Sequence, residues 1–266
     1  MLKLRYAIEN RRGAALLCGA SGSGKTLLVH QLRRHLAKRY RPFVHLVFPQ
    51  MPTDALLAYL AEALATPLSN TLKPLTGATI SPAAPAVKPV ETSRRGSYGI
   101  DDTVWRIQQF LLQNAQQDQH AVVAIDEAHL LDDTRTWEAL RLLLNFESDS
   151  QPTLTLLLVG QPGLLPQIDR MPAMEERLGV KCLLRPFTVD ETAAYVNFRL
   201  QAAGAKRPIF EPASMETLHE LTHGLARPIN RLCDLSLLVG FAEERKTIGS
   251  EQLEAVALEL VTVAPE

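Results

Sequence analysis

The chain has 266 residues, 46% hydrophobic and 21% charged, which is enough for one large domain or two small ones around a buried core. Counts of 14 Gly and 17 Pro are ordinary for this length and exclude a collagen-like or wholly disordered chain. With 28 Lys and Arg against 29 Asp and Glu, the net charge is -1; a strongly basic nucleic-acid footprint is excluded for the chain as a whole, though not for a local patch.

The apolar runs, such as Leu156 to Val159, are far too short to span a bilayer. The N-terminus, MLKLRYAIENRRG, has no apolar signal-peptide core. Cys18, Cys182 and Cys233 are odd in number and lack CxxC spacing, so neither a disulfide framework nor a zinc site is suggested. A soluble, cytoplasmic protein is expected.

In chain order, Ala14 to Cys18 is an apolar run that opens into a Gly-rich turn. A helix is predicted from Thr26 to Tyr40, with Leu27, Leu28, Leu32 and Leu36 on one face. Phe43 to Phe48 reads as a short strand, and a helix from Asp54 carries Leu56, Leu57, Leu60 and Leu64 to near Pro67. Residues 67–100 change character: Pro67, Pro74, Pro82, Pro85 and Pro89 stand among Ala, Ser and Thr, which predicts a flexible insertion. A structureless loop of this length is unusual inside a compact domain, so the segment is either functional or, as the plainer reading, a tolerated surface expansion.

Beyond it, Thr103 to Gln116 is a predicted helix, Ala121 to Ile125 a buried strand, Thr136 to Leu144 a Leu-rich helix and Leu154 to Val159 a second buried strand. From Asp190 the pattern is helical over 190–203, 213–222, 228–244 and 250–261. Strands alternating with helices, then helices alone, predict an α/β fold with a three-layer parallel-sheet core over 1–186 and a helical subdomain over 187–266, divided near Pro186.

The run Gly19, Ala20, Ser21, Gly22, Ser23, Gly24, Lys25, Thr26 fits G-x-x-x-x-G-K-[ST] in full, between an apolar strand and an amphipathic helix. In such a Walker A loop, glycines let backbone N–H groups converge on phosphate oxygens. The helix N-terminus, including Leu27, adds its dipole. Lys25 is expected to reach the β- and γ-phosphates of ATP, and the Thr26 hydroxyl to ligate Mg²⁺. Ala121 to Ile125 followed by Asp126 and Glu127 has the form of a Walker B strand. Asp126 would hold the Mg²⁺, and Glu127 would act as general base toward water, which favours hydrolysis over mere binding. Gln161, at the polar end of the next strand, is placed to sense the γ-phosphate if that strand lies between the two Walker strands. Arg177 is the first candidate for a finger reaching a neighbour's site, with Arg170 and Arg185 as alternatives. Arg227, just ahead of Pro228, is a candidate second sensor folding back over the nucleotide.

With these residues in place, the sequence resembles the AAA+ ATPases of the general secretion pathway protein A (ExeA-like) type, related to TniB/TnsC-type transposition ATPases. LRYAIENRRGAALLCGASGSGKT resembles the family's helix, strand and P-loop, and AIDEAHLL its Walker B segment. LRLLLNFESD, with Asn145 and Glu147, is similar to the Leu-rich helix that follows; LLLVGQPGL is similar to the fourth strand and sensor region. RLGVKCLLRPFTVDET resembles the arginine-bearing segment, and GLARPINRLCDLSLLVGFAE the lid sensor helix. The resemblance covers most of the chain outside 67–100 and implies self-assembly into a ring or filament, a hexamer being one form, acting on a protein client or DNA. Lys181 stands where similar sequences commonly have arginine. The usual adenine-holding lead-in is expected to be missing, so that the chain is a fragment or recognises adenine differently. No transmembrane segment is expected.

The leading reading is therefore an Mg²⁺-dependent ATP hydrolase that drives assembly or remodelling of a partner complex. The alternative is an ATP-dependent DNA-binding regulator of transposition, suggested by the local basic run Arg33, Arg34, His35, Lys38, Arg39 and Arg41. A non-catalytic nucleotide-binding scaffold is disfavoured by the intact Asp126–Glu127 pair.

Overall fold

The computed structural model of the chain describes residues 1–66 and 99–262. The predicted insertion falls outside the described residues except at its last two positions, and there Ile100 already opens a helix.

Helix α1 (Leu2–Glu9) leads into β1 (Ala14–Gly19), followed by α2 (Lys25–His35), β2 (Phe43–Leu46), α3 (Thr53–Ala65), α4 (Ile100–Gln116) and β3 (Ala121–Ile125). Then come α5 (Thr134–Leu143), a small antiparallel pair β4 (Glu147–Ser148) and β5 (Gln151–Pro152), and β6 (Leu154–Gly160). Short helices α6 (Leu164–Asp169) and α7 (Pro172–Glu175) lead to β7 (Leu178–Leu184). Helices α8 (Val189–Ala202), α9 (Ser214–Thr222), α10 (Ala226–Ala242) and α11 (Ser250–Thr262) complete the described chain.

The main sheet is parallel, in the order β2-β3-β6-β1-β7. The strand that follows the Walker B segment therefore does lie between the two Walker strands, as expected. β1, β3 and β6 are buried along their whole length, which explains their unbroken Ala, Val, Ile and Leu runs. One sheet face packs on α3, α4 and α5 through Leu60, Leu64, Ile107, Leu111 and Leu140. The other face packs on α1 and α2 through Leu4, Ile8, Val29 and Leu32. A third core, built from Val196, Leu218, Ile229, Leu232 and Leu253, belongs to α8–α11.

Two sequence expectations need correction. The 178–184 segment was not expected to be a strand. It is the edge strand β7, and its residues alternate between part-buried and exposed, so Gly179 and Lys181 interrupt any apolar run. The helix predicted over 26–40 stops at His35, and its inner face uses Lys25, Val29 and Leu32. Leu27 is not on that face; its side chain is 63% exposed.

The turn into α8 is fixed by a reciprocal cap. Thr188 Oγ1 accepts from the Glu191 N–H, and Glu191 Oε2 accepts from the Thr188 N–H. Arg185 forks onto the same Glu191 carboxylate at 2.6 and 2.8 Å. The Arg185 guanidinium, and next the Thr188 N–H, hold that carboxyl down at about 2.

Gly224 closes the path from α9 to α10. It adopts φ +66°, and a Cβ there would stand 2.3 Å from the Phe187 carbonyl oxygen. Backbone strain and overpacking both oppose a side chain. Gly224→Ala is expected to lower stability by about 3 kcal/mol, read as a lower urea midpoint. An unchanged midpoint would show that Phe187 moves aside freely.

His120, just before β3, is 1% exposed and shares a 2.8 Å hydrogen bond with Thr155 Oγ1. Burial, and next the charge of Arg11, pull its imidazole down from 6.5 to about 4. Between those values the unfolded chain binds the proton and the folded chain does not, so stability falls as pH drops through 6.5 toward 4. Over pH 7 to 4 the wild type is expected to lose on the order of 3 kcal/mol more than His120→Gln does, measured by urea unfolding at both pH values. Parallel losses in the two proteins would refute this.

Candidate functional site

β1 ends at Gly19, and the chain turns through Ala20, Ser21, Gly22, Ser23 and Gly24 into α2. Gly22 has φ +76°, a conformation in which a side chain is strained. Lys25 is the first residue of α2 and is buried; its Nζ donates to the carbonyls of Gly19 and Ala20, each at 3.0 Å. The ammonium is thereby folded back across the loop that carries it. The amides of Lys25, Thr26 and Leu27 lie in the first turn of α2, where helix N–H groups lack intrahelical partners and suit an anion. This is what Leu27 offers the loop, since its side chain turns to solvent. Ser23 Oγ is buried and has no hydrogen-bond partner.

The Walker B residues arrive from β3. Thr26 Oγ1 donates to Asp126 Oδ2 at 2.7 Å, and the Glu127 N–H donates to Asp126 Oδ1 at 3.0 Å. His45 Nε2, at the end of β2, lies 3.5 Å from Asp126 Oδ2. Burial raises the Asp126 carboxyl, but His45, Thr26 and the Glu127 N–H together outweigh it, and the group sits below its usual value. Asp126 is thus held as a carboxylate beside a hydroxyl, a pair of hard oxygen donors of the kind Mg²⁺ takes together with substrate phosphates. That pair, with the orphaned Ser23 hydroxyl, fits the expected ion and phosphate chemistry.

Glu127 has a left-handed backbone, φ +52°, and a part-exposed carboxylate whose Oε2 is 3.4 Å from His129 Nδ1. The same ring nitrogen lies 3.4 Å from the Gln161 backbone N–H, so His129 stands between the β3 and β6 ends. β6 pairs Gly160 with Cys18 and Leu158 with Ile125, which brings Gln161 to the edge where the loop and Asp126 meet. Ligands bind at this carboxyl edge in open α/β sheets.

Helix α10 reaches the same edge. The Arg227 N–H, at the start of α10, donates to the Gly22 carbonyl at 3.0 Å, and a Cβ on Gly22 would meet Arg227 Cβ at 2.8 Å. Arg177 does not reach it. Its carbonyl accepts from the Ala14 N–H at the opposite end of β1, about 17 Å from Gly19 by the rise of five strand residues. Its guanidinium bonds Asn145 Oδ1 at 2.6 Å. Of the alternatives, Arg170 is exposed at the end of α6, and Arg185 is committed to Glu191. Lys181 is committed to Glu175 and Asp169, at 2.6 and 3.5 Å.

His45 and His129 are the site residues that sequence reasoning missed. The signal was there for both: a polar residue in the FVHLVF run, and a ring two places after Glu127. α1 helps line an apolar hollow of about 610 Å³, bounded by Leu4, Leu17, Leu28, Cys182 and Leu184.

Residues 8–168 match the AAA domain family. The chain is 30% identical to general secretion pathway protein A of Aeromonas hydrophila over 99% of its own length, and spans 43% of that relative. Cdc6p from Pyrobaculum aerophilum superposes with a TM-score of 0.66 at 16% identity, covering 100% of this chain and 68% of that one. The Aeropyrum pernix ORC2 protein gives 0.65 at 14% identity, covering 97% and 65%. The Thermotoga maritima RuvB Holliday junction branch migration motor gives 0.61 at 18% identity, covering 97% and 66%. These structural likenesses speak to the fold. Among the described residues, no helix is long and apolar enough to cross a membrane.

Proposed function

Since this chain belongs to the AAA domain family, we propose that it is an Mg²⁺-dependent ATPase that assembles with its own copies in the cytoplasm and remodels or assembles a partner complex, as an ExeA-like protein. The observation that carries the reading is the 2.7 Å contact of Thr26 with Asp126 beside the buried Lys25.

Loop amides and Lys25 bind the triphosphate, and Lys25 exchanges its two carbonyl partners for phosphate oxygens. Thr26 and Asp126 would hold Mg²⁺, which supplies charge neutralisation on the phosphates. The apolar hollow beside Leu17 and Leu184 receives the base. Glu127 takes a proton from the attacking water; the new bond forms at the γ-phosphorus, the bond to the bridging oxygen breaks, and ADP leaves. Gln161 senses the γ-phosphate. Arg227 couples the lid, taken here as the helices beyond Pro186, to the nucleotide through Gly22. Arg177 completes the site of an adjacent copy.

A sizing column with and without ATP, paired with phosphate release, tests this. An ATP-dependent shift to a larger species that turns over ATP is expected. A monomer under both conditions, or ATP binding without turnover, overturns it.

A second reading, an ATP-dependent DNA-binding regulator, is favoured by a basic hollow of about 850 Å³ on α2. Arg33, Arg34, Lys38 and Arg41 line it, with His30 and Leu27. The rest of the run is turned elsewhere: Arg39 bonds the Tyr40 hydroxyl at 2.7 Å, and His35 lies 2.7 Å from the Gln31 carbonyl. If this reading holds, filters retain duplex DNA with ATP at low salt and release it steeply as salt rises. No retention at low salt rejects it.

A further inference from the structure

A separate hollow of about 440 Å³ opens on the helical part of the chain, at the C-terminal end of α10. Its floor is Ile209, Leu237, Phe241 and Ile248. The floor is held in place by backbone pairing: the Ile248 N–H donates to the Ile209 carbonyl at 2.8 Å, and the Glu211 N–H donates to the Ile248 carbonyl at 3.0 Å. Phe241 is nonetheless 85% exposed, and Leu238, one turn before it, is 63% exposed. An aromatic ring so far out of the core, on a rigid floor, is an apolar surface with nothing of its own chain over it among the described residues.

The rim is of one sign. Lys206, Arg207, Arg245 and Lys246 line the hollow, and no acid does. Arg245 pairs with Glu243. The other three make no ion pair among the described residues. A polynucleotide would meet the rim charges but leave the aliphatic floor uncovered. The chain's own 67–98 segment carries Lys73, Lys88, Arg94 and Arg95 against the single acid Glu91, so its charge has the same sign as the rim.

We propose that this hollow docks an acidic segment of a partner protein, with a leucine or aromatic anchor against Phe241 and carboxylates on Lys206, Arg207 and Lys246. Apolar anchoring supplies the hold, and charge complementarity supplies the selection among partners. The proposal stands independently of nucleotide turnover.

The test is fluorescence anisotropy of a short labelled peptide with Leu and Phe set between glutamates, titrated with the full chain. A control peptide keeps the anchors and replaces every glutamate by lysine. Saturable binding of the acidic peptide alone is expected, weakened by added salt. Phe241→Ser, and separately K206E combined with K246E, are each expected to weaken it about tenfold or more. Both variants change exposed side chains, and unaltered thermal unfolding would show that they fold. Equal binding of the two peptides, or binding indifferent to both variants, overturns the proposal. So does displacement of the peptide by duplex DNA. A change in the self-association of the peptide-free chain in the variants would also overturn it, by assigning the surface to a second copy.

Discussion

Glu127→Gln is expected to slow ATP turnover by about 10²–10⁴-fold and leave nucleotide binding nearly unchanged. Glutamine keeps the size and the hydrogen-bonding oxygen but cannot accept a proton from water. The groups that grip phosphate and Mg²⁺ in the proposed site, Lys25, Thr26 and Asp126, are bonded to one another or to the loop rather than to the Glu127 side chain. Binding and turnover should therefore separate. Phosphate release would be measured beside titration with a fluorescent ATP analogue. A variant hydrolysing ATP at the wild-type rate would remove Glu127 from the mechanism. Equal losses of binding and turnover would instead make it a structural support for Asp126, whose Oδ1 accepts the Glu127 N–H.

Arg177→Ala is expected to lower turnover by about 10³–10⁵-fold, the range for a charge-neutralising finger. Within one copy the effect would be hard to explain, because Arg177 sits at the opposite end of β1 from the phosphate loop. The loss should then be repaired by mixing. A Lys25→Ala copy has no working loop but keeps its Arg177; beside an Arg177→Ala copy, it completes one site per shared interface. Partial recovery in the mixture, absent from either variant alone, is the expected result. Failure to recover, with each variant intact by thermal unfolding, would confine Arg177 to its 2.6 Å bond with Asn145. An unaffected rate in Arg177→Ala would pass the finger role to the exposed Arg170.

The phosphate loop and the Walker B acids were legible because their chemistry is local. A glycine-rich turn between a strand and a helix, and two acids at the end of an apolar strand, are short patterns that carry their own context. The inner strands were equally plain, since burial on both faces writes an unbroken apolar run. β7 was not, because an edge strand alternates and Gly179 and Lys181 hide the pattern. Leu27 misled for the related reason that helical periodicity allows two neighbouring apolar stripes, and only packing against the sheet selects Val29 and Leu32.

The sequence by itself therefore determined the class of fold, and marked out the loop proposed to meet phosphate and the acid pair proposed to hold the metal and activate water. Each depends on residues close together in the chain. Tertiary structure alone decided which distant groups share the site. Parallel pairing of β3 and β6 set Gln161 and His129 beside Glu127; the turn at Gly224 brought Arg227 onto Gly22; and the direction of β7 carried Arg177 away from its own loop. Strand register and chain direction are long-range properties, fixed when buried faces pack together, and no local pattern of residues encodes them.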